Sequence, residues 1–172
     1  MIFDSYKHAH LLAQLKLVVF DFDGVFTDNT VYVNQDGLEQ VRCWRSDGLG
    51  LSRLKGTGVY VQILSTETNT VVALRSAKLK IPCRQGVEDK AKAVVEICQQ
   101  NNTELKECMF VGNDINDIPA FGKVGIPVGV ADAYPEVNPH ILFRTAKPGG
   151  FGAVREICDL ICECRKAMVP LS

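Results

Sequence analysis

Short apolar runs alternate along the chain with segments whose apolar residues recur every three or four positions. Runs bounded by polar residues or glycine predict buried strands, and the segments between them predict helices. Strands that alternate with helices pair in parallel through right-handed crossovers. The pattern therefore predicts an α/β fold, a three-layer Rossmann-like sandwich with a central parallel sheet. The predicted strands are 15–20, 59–64, 108–111 and 126–130, and the predicted helices are 46–58, 68–80, 89–102 and 152–168.

Residues 30–44 break this alternation. Two short stretches of alternating apolar and polar residues flank residues 34–37, Asn-Gln-Asp-Gly, whose composition is typical of a hairpin turn. We expect a small β-hairpin flap beside the loop that follows the first strand.

Composition fits a single globular domain over 1–172, with 1–14 as an N-terminal extension or linker remnant, since 47% of the residues are hydrophobic and 23% are charged. The net charge of −1 argues against nucleic acid or an anionic membrane as a partner. No apolar stretch approaches the ~20 residues of a membrane span, so we expect a cytoplasmic protein. The seven cysteines lie mostly in apolar or helical patterns, which favours reduced thiols over a disulfide framework or a zinc site.

The first predicted strand ends in two aspartates, Asp21 and Asp23, which would repel each other without a cation or a proton between them. In parallel sheets, ligands bind beyond the carboxyl ends of the strands, and polar residues follow the later strands as well. Oxygen-only ligands favour Mg²⁺ over zinc or copper. The sequence therefore predicts a magnesium site at this edge of the sheet. The other polar residues are Ser65, Thr66, Glu67, Lys90, Asn113, Asp114 and Asp117.

Magnesium, a lysine, a hydroxyl group and backbone N–H groups together suit a phosphoryl group, whose charged oxygens need positive and donor groups around them. A carboxylate nucleophile completes this set. Asp21 is the candidate that attacks phosphorus to form an aspartyl-phosphate, and Asp23 is the candidate that protonates the leaving alcohol and then activates water.

The stretch DFDGVFTD at 21–28, followed by Ser65, Lys90 and GNDIND at 112–117, resembles the four motifs of the haloacid dehalogenase superfamily of phosphohydrolases. All four motifs occur in the expected order, each at a strand end. The spacing between the first three leaves no room for a cap domain, so the resemblance is to the capless branch of that superfamily. The segment KPGGFGAVREICDL at 147–160 is also similar to a glycine-containing segment of that branch.

The resemblance implies a role for each matching residue. Asp21 becomes the nucleophile and Asp23 the acid/base, and both belong to the metal site together with Asn113 and Asp114. In addition, Ser65 and Lys90 are implied to bind the phosphate. The branch includes tetrameric phosphatases in which a neighbouring subunit helps to close the site, which implies a homotetramer here.

Two substrate types occur in this branch, 3-deoxy-manno-octulosonate 8-phosphate and 2-keto-3-deoxynononate 9-phosphate. The resemblance to the nononate type rests on Glu67, where octulosonate enzymes carry an arginine, and on Lys78, eleven positions later. We therefore expect a phosphorylated sugar acid as substrate, a sialic-acid-type nononate 9-phosphate first and octulosonate 8-phosphate second, with Thr66, Glu67 and Lys78 in contact with it. An ordinary surface pair of Glu67 and Lys78 remains the alternative.

Asn113 departs from the pattern of the resembled enzymes, which usually carry an aspartate there, and this neutral amide predicts weaker magnesium binding. The motifs are also similar to the phosphatase-like domain fused to some bacterial N-acylneuraminate cytidylyltransferases. A non-catalytic or weakly active oligomerisation domain associated with such an enzyme is therefore the alternative function, whereas the presence of Asp21 and Asp23 favours activity.

Overall fold

A computed structural model describes residues 4–167 and shows a six-stranded sheet flanked by helices, which confirms the predicted α/β sandwich. The strands are β1 (Leu17–Phe20), β2 (Thr27–Val33), β3 (Glu39–Cys43), β4 (Tyr60–Leu64), β5 (Cys83–Arg84), β6 (Cys108–Gly112), β7 (Ile126–Gly129) and β8 (Phe143–Arg144). The α-helices are α1 (Ser5–Gln14), α2 (Asp47–Leu54), α3 (Thr70–Leu79), α4 (Lys90–Gln100), α5 (Ile118–Phe121) and α6 (Ala153–Ala167).

The main sheet has the strand order β5-β4-β1-β6-β7-β8, and all of its pairings are parallel. β1 lies in the interior between β4 and β6, and all four of its residues are buried. The unbroken apolar sequence of β1 follows from this position, because a strand covered on both faces has no polar side to present. The carboxyl ends of β1, β4 and β6 therefore meet at one edge of the sheet.

The hairpin forms a separate two-stranded antiparallel sheet of β2 and β3, as predicted. Its turn is stabilised locally, since the side-chain oxygen of Asn34 accepts from the backbone of Asp36 at 3.0 Å and of Leu38 at 2.9 Å. Gly37 adopts a φ of +76°, a conformation that glycine reaches without steric cost. The flap leaves large apolar side chains in solvent.

Local capping explains where two helices begin. The side chain of Asn69 accepts from Val71 N at the start of α3, and that of Asp89 accepts from Lys92 N at the start of α4. Ser46 occupies the cap position of α2 without a side-chain capping bond, and α2 ends at Leu54, before the glycines at which the sequence pattern placed its end.

Residues 5–14, interpreted from the sequence as part of an extension or linker, form α1 and pack against α6. Leu12 of this helix is almost completely buried, and Arg165 of α6 donates to the carbonyl oxygens of Leu15 and Thr57. The described part of this segment is therefore integrated into the fold. Residues 1–3, and Met168 at the end of the last predicted helix, lie outside the described residues.

All seven cysteines are free thiols, including the buried Cys158 and Cys162 on α6. Among the helices that the structure describes, none has the length and apolar character needed to cross a membrane.

Candidate active site

Asp21 directly follows the central strand β1 and extends its pairing, because the backbone N–H of Asp21 donates to the carbonyl of Val111 at 2.9 Å. Its side chain is only 4% exposed. One carboxylate oxygen, Oδ1, accepts from Phe22 N at 2.8 Å and forms an ion pair with Lys90 Nζ at 2.9 Å. These contacts fix the orientation of the carboxylate.

Lys90 is the first residue of α4 and is 2% exposed. Its ammonium group lies between two carboxylates, at 2.9 Å from Asp21 and 2.7 Å from Asp117. Burial alone lowers the pKa of a lysine, but the two carboxylates outweigh this effect and hold the pKa of Lys90 above its usual value. Lys90 is therefore charged at neutral pH.

Asp117 is fully buried and joins Lys90 to the loop after β6. Its Oδ1 contacts Lys90, while its Oδ2 accepts from the backbone N–H of Asn113 at 2.8 Å and of Asp114 at 3.3 Å. A Cβ at Gly112 would lie 2.3 Å from this same Oδ2, so only glycine fits there. Asp117 was predicted at this edge of the sheet without a role of its own, although the Asp-x-x-Asp spacing of Asp114 and Asp117 is a capping-box signal that indicates its contact with the loop.

Asp23 lies on the loop between β1 and the flap, and Thr27 organises this loop. The Thr27 hydroxyl accepts from Gly24 N at 3.1 Å and donates to Asp23 Oδ1 at 3.5 Å. Burial, with further contributions from Glu67 and Glu39, raises the pKa of Asp23 against the opposing effects of Lys90 and Thr27. The raised pKa favours a protonated Asp23, which is the form that can donate a proton to a leaving group.

The pKa of Asp21 is raised to about 8, first by burial and then by the charge of Asp117, in spite of the ion pair with Lys90. A carboxylate with this pKa is largely protonated at neutral pH. Asp21 would therefore need a further positive charge nearby to act as a nucleophile.

Asp21 and Asp23 open into a pocket of about 220 Å³ at the edge of the sheet. Four of its residues carry carboxylates, and none is a lysine, arginine or histidine. A phosphate group entering this pocket would be repelled unless a cation accompanied it. The lining residues are Asp21, Asp23, Asn29, Thr66, Glu67, Asn113, Asp114, Ile115 and Asn116.

The donors around this pocket are compatible with a hard cation. Within residues 4–167, no three His, Cys, Asp or Glu side chains form a group that could hold a metal ion by themselves. The available set combines the carboxylates of Asp21 and Asp114 with the amide of Asn113 and backbone oxygens, and oxygen donors of this mixed kind suit Mg²⁺. Asn113 lies against the loop of residues 21–28, because its side chain fills the space that a Cβ at Gly24 would need.

A second cavity of about 190 Å³ continues from the first beneath the flap. Asp23, Asn29 and Glu67 line both cavities, and Glu39 and Asn69, joined by a 2.6 Å hydrogen bond, line the second. Its floor is apolar, formed by Phe22 and four valines. A leaving group bound here would lie next to Asp23. Asn29, which the sequence analysis did not select, reaches both cavities from a left-handed conformation with φ of 60°.

The remaining predicted residues are placed as follows. Ser65 is 1% exposed, and its hydroxyl accepts from Glu67 N at 3.1 Å. Thr66 and Glu67 are exposed and line the pocket. Lys78 is exposed near the end of α3 and lines neither cavity. Of the predicted site residues, Lys90 is bonded to Asp21, Ser65 is buried next to Thr66, and Lys78 contacts neither cavity. The others line the pocket: Asp21, Asp23, Thr66, Glu67, Asn113 and Asp114.

Asp47, at the start of α2, lies outside both cavities. It is fully buried, and its Oδ1 accepts from Arg155 N at 3.1 Å in the first turn of α6, while its Oδ2 has no hydrogen-bond partner. Burial raises the pKa of Asp47 to about 6. Its role in the structure is to cap α6.

Residues 65–150 match the family of haloacid dehalogenase-like hydrolases. A 3-deoxy-D-manno-octulosonate 8-phosphate phosphatase from Yersinia pestis is 33% identical over 150 residues, which cover 87% of this chain and 80% of that protein. The crystal structure of the phosphatase of the same name from Moraxella catarrhalis, in complex with a magnesium ion, a phosphate ion and KDO, is 30% identical with a TM-score of 0.90, covering 95% of this chain and 94% of that one. A haloacid dehalogenase family hydrolase from Streptomyces avermitilis is 44% identical with a TM-score of 0.83, covering 86% and 84%.

Proposed function

Since the chain belongs to the haloacid dehalogenase-like hydrolases and is a phosphoric monoester hydrolase, we propose that it is a Mg²⁺-dependent phosphatase of a sugar-acid phosphate. The observation that carries this proposal is the buried Lys90, which holds Asp21 at the edge of a pocket that is rich in carboxylates. Such a pocket binds a phosphoryl group only when a cation enters with it.

In the proposed reaction, Asp21 attacks the phosphorus and forms an aspartyl-phosphate. Asp23 gives its proton to the leaving alcohol and then accepts a proton from the water that attacks the intermediate. Ser65 and Lys90 are proposed to orient the phosphate. Magnesium, held by Asp21, Asp23, Asn113 and Asp114, supplies positive charge that lowers the pKa of Asp21 and balances the phosphate oxygens.

The proposed substrate is a nine-carbon, sialic-acid-type nononate 9-phosphate, with octulosonate 8-phosphate as the second candidate. Glu67 supports the first because it lines both cavities, where it can accept hydrogen bonds from sugar hydroxyls. The names of the Yersinia and Moraxella relatives support the second. Lys78 lines neither cavity of its own chain, so its proposed contact with substrate requires a neighbouring copy.

The proposed homotetramer is supported by the flap. Four of its large apolar side chains are between 50% and 64% exposed in the single chain, and exposed apolar side chains grouped in this way are typical of a protein–protein contact. Light scattering on the purified protein measures the assembly directly. These side chains are Val31, Tyr32, Val33 and Leu38.

Phosphate release tests the function. The protein is incubated with 2-keto-3-deoxynononate 9-phosphate, N-acetylneuraminate 9-phosphate, 3-deoxy-manno-octulosonate 8-phosphate or p-nitrophenyl phosphate, each with magnesium and with a chelator. The variant Asp21→Asn, prepared identically, measures contaminating phosphatase. We expect magnesium-dependent release that is absent from Asp21→Asn and fastest with a nine-carbon substrate. A preference for the octulosonate would contradict the substrate assignment alone.

The neutral amide of Asn113 favours one second candidate, a non-catalytic oligomerisation domain associated with an N-acylneuraminate cytidylyltransferase. If phosphate release from each of the four esters does not exceed the release measured with Asp21→Asn, this alternative is supported over the phosphatase.

A further inference from the structure

The turn that precedes α6 lies directly against the catalytic loop, which runs from Asp21 to Asp28. A Cβ at Gly149 would lie 1.9 Å from the carbonyl oxygen of Gly24, and a Cβ at Gly150 would lie 2.3 Å from the backbone nitrogen of Asp28. Gly150 also has a φ of +65° and donates from its N–H to the carbonyl of Val25 at 3.1 Å. Two backbones therefore touch here at a distance that no side chain on this turn would permit.

The turn is itself held in place by carboxylates. Gly149 N donates to Asp132 Oδ1 at 2.9 Å, on the loop after β7. The N–H groups of Ala146 and Lys147 each donate to a carboxylate oxygen of Glu156 at 2.8 Å. Because these bonds fix the turn, it cannot move away freely, and a strain at the contact therefore acts on the catalytic loop as well.

We propose that Gly149 and Gly150 are positioning residues for phosphate ester hydrolysis, because their backbone forms the surface that holds the loop between Asp21 and Asp28 in its reactive shape. Gly24, whose carbonyl touches Gly149, follows Asp23 directly and donates to Thr27, the partner of Asp23. A shift of Gly24 therefore moves the proposed acid/base. This proposal rests on the proposed function.

The test compares Gly149→Ala with Gly125→Ala. A Cβ at Gly125 would lie 2.3 Å from the carbonyl oxygen of Lys106, a backbone clash of similar severity, but at the amino end of β7, away from the catalytic loop. Overpacking should lower the Tm of both variants by about 2–10 °C. Activity toward p-nitrophenyl phosphate is measured at least ~15 °C below both Tm values, so that both proteins remain folded during the assay.

We expect kcat of Gly149→Ala to fall by about 10- to 100-fold, since displacements near 1 Å have effects of this size. KM should change less than about threefold, since the phosphate-binding groups Ser65 and Lys90 lie on other elements. Inhibition by inorganic vanadate, which mimics the phosphoryl transition state, should weaken in parallel with kcat. Gly125→Ala should keep the wild-type kcat and the wild-type vanadate affinity.

Each other outcome is decisive. Wild-type kcat in a folded Gly149→Ala, or an equal loss of kcat in Gly125→Ala, would overturn the positioning role and leave the phosphatase assignment intact. If the wild-type protein itself releases no phosphate, the proposed function fails and the positioning role fails with it. If Gly149→Ala does not fold, Gly150→Ala replaces it, and full activity in that folded variant overturns the proposal.

Discussion

Replacing Lys90 with methionine would remove the positive charge that two buried carboxylates share. Methionine has nearly the same length as lysine, so the substitution tests the charge more than the packing. The ammonium group lies 2.9 Å from Asp21 and 2.7 Å from Asp117, and the side chains of the three residues are 1%, 6% and 0% exposed. In the variant, both carboxylates would remain buried without a cation.

Removing one partner of a buried ion pair costs about 3–5 kcal/mol, because the remaining charge stays desolvated. Protonation of a carboxylate reduces this cost. The charge of Lys90 holds down the pKa of Asp21, so Lys90→Met raises that pKa further and the variant takes up more protons on folding than the wild type does. Its stability relative to wild type must therefore fall as pH rises. We expect a loss of about 3–5 kcal/mol at pH 8.5 and a clearly smaller one at pH 5.5.

Urea unfolding followed by far-UV circular dichroism, without magnesium, measures the free energy of unfolding at both pH values. Lys92→Met is the matched control, since Lys92 lies on the same helix and is exposed. We expect it to change stability by less than about 0.5 kcal/mol. A loss below about 1 kcal/mol for Lys90→Met at pH 8.5, or a loss that does not grow with pH, would refute the reasoning that Lys90 neutralises this buried pair.

Four further outcomes are expected. Asp21→Asn should reduce kcat to background and leave the circular dichroism spectrum unchanged, because the amide cannot act as a nucleophile; residual turnover above about 1% of wild type would contradict this role. Asn113→Asp should lower the magnesium concentration that gives half-maximal activity by up to about tenfold, because an added ligand charge strengthens binding of a hard cation. An unchanged magnesium concentration for half-maximal activity would exclude this residue as a ligand. Lys78→Ala should reduce kcat/KM about tenfold or more for the nononate phosphate but not for p-nitrophenyl phosphate, and equal losses would assign Lys78 a structural role. Asp47 has a folded-state pKa of about 6, so its contribution to stability is fully present below its unfolded-state pKa and is lost as pH rises through about 6. The stability of Asp47→Asn relative to wild type, measured by urea unfolding, should therefore increase between pH 4.5 and pH 7.5. A constant difference would contradict the raised pKa.

The site could be predicted from the sequence because its position depends on strand direction more than on packing. Once Asp21, Ser65 and Asn113 are placed at the carboxyl ends of parallel strands, the topology gathers them at one edge of the sheet. Local caps such as Asp89 could also be predicted, since the capping side chain and the N–H group that it accepts from are only three positions apart.

The features that the sequence did not predict depend on tertiary contacts. The packing of α1 against α6 joins segments about 150 positions apart in the sequence, as the bond from Arg165 to Leu15 shows. In the sequence, Asp117 is one of two acidic residues of its motif and nothing distinguishes its role. Its complete burial beside Lys90 identifies it as a structural counterion. The distance of Lys78 from both cavities likewise depends on the length and direction of α3.

The central position of β1 affects how the protein folds during its synthesis on the ribosome. Leu17 of β1 pairs with Tyr60 of β4 on one side and with Cys108 of β6 on the other. β1 is therefore synthesised before both of its neighbours, and its pairing is complete only after β6 has been synthesised. At ~5–20 residues per second, β1 waits on the order of 5–20 s for β6 to be synthesised. During that interval at least one edge of this entirely apolar strand is unpaired, which favours association with other nascent chains or binding by a chaperone. The apolar sequence that buries β1 in the folded protein thus also favours association of the chain during its synthesis.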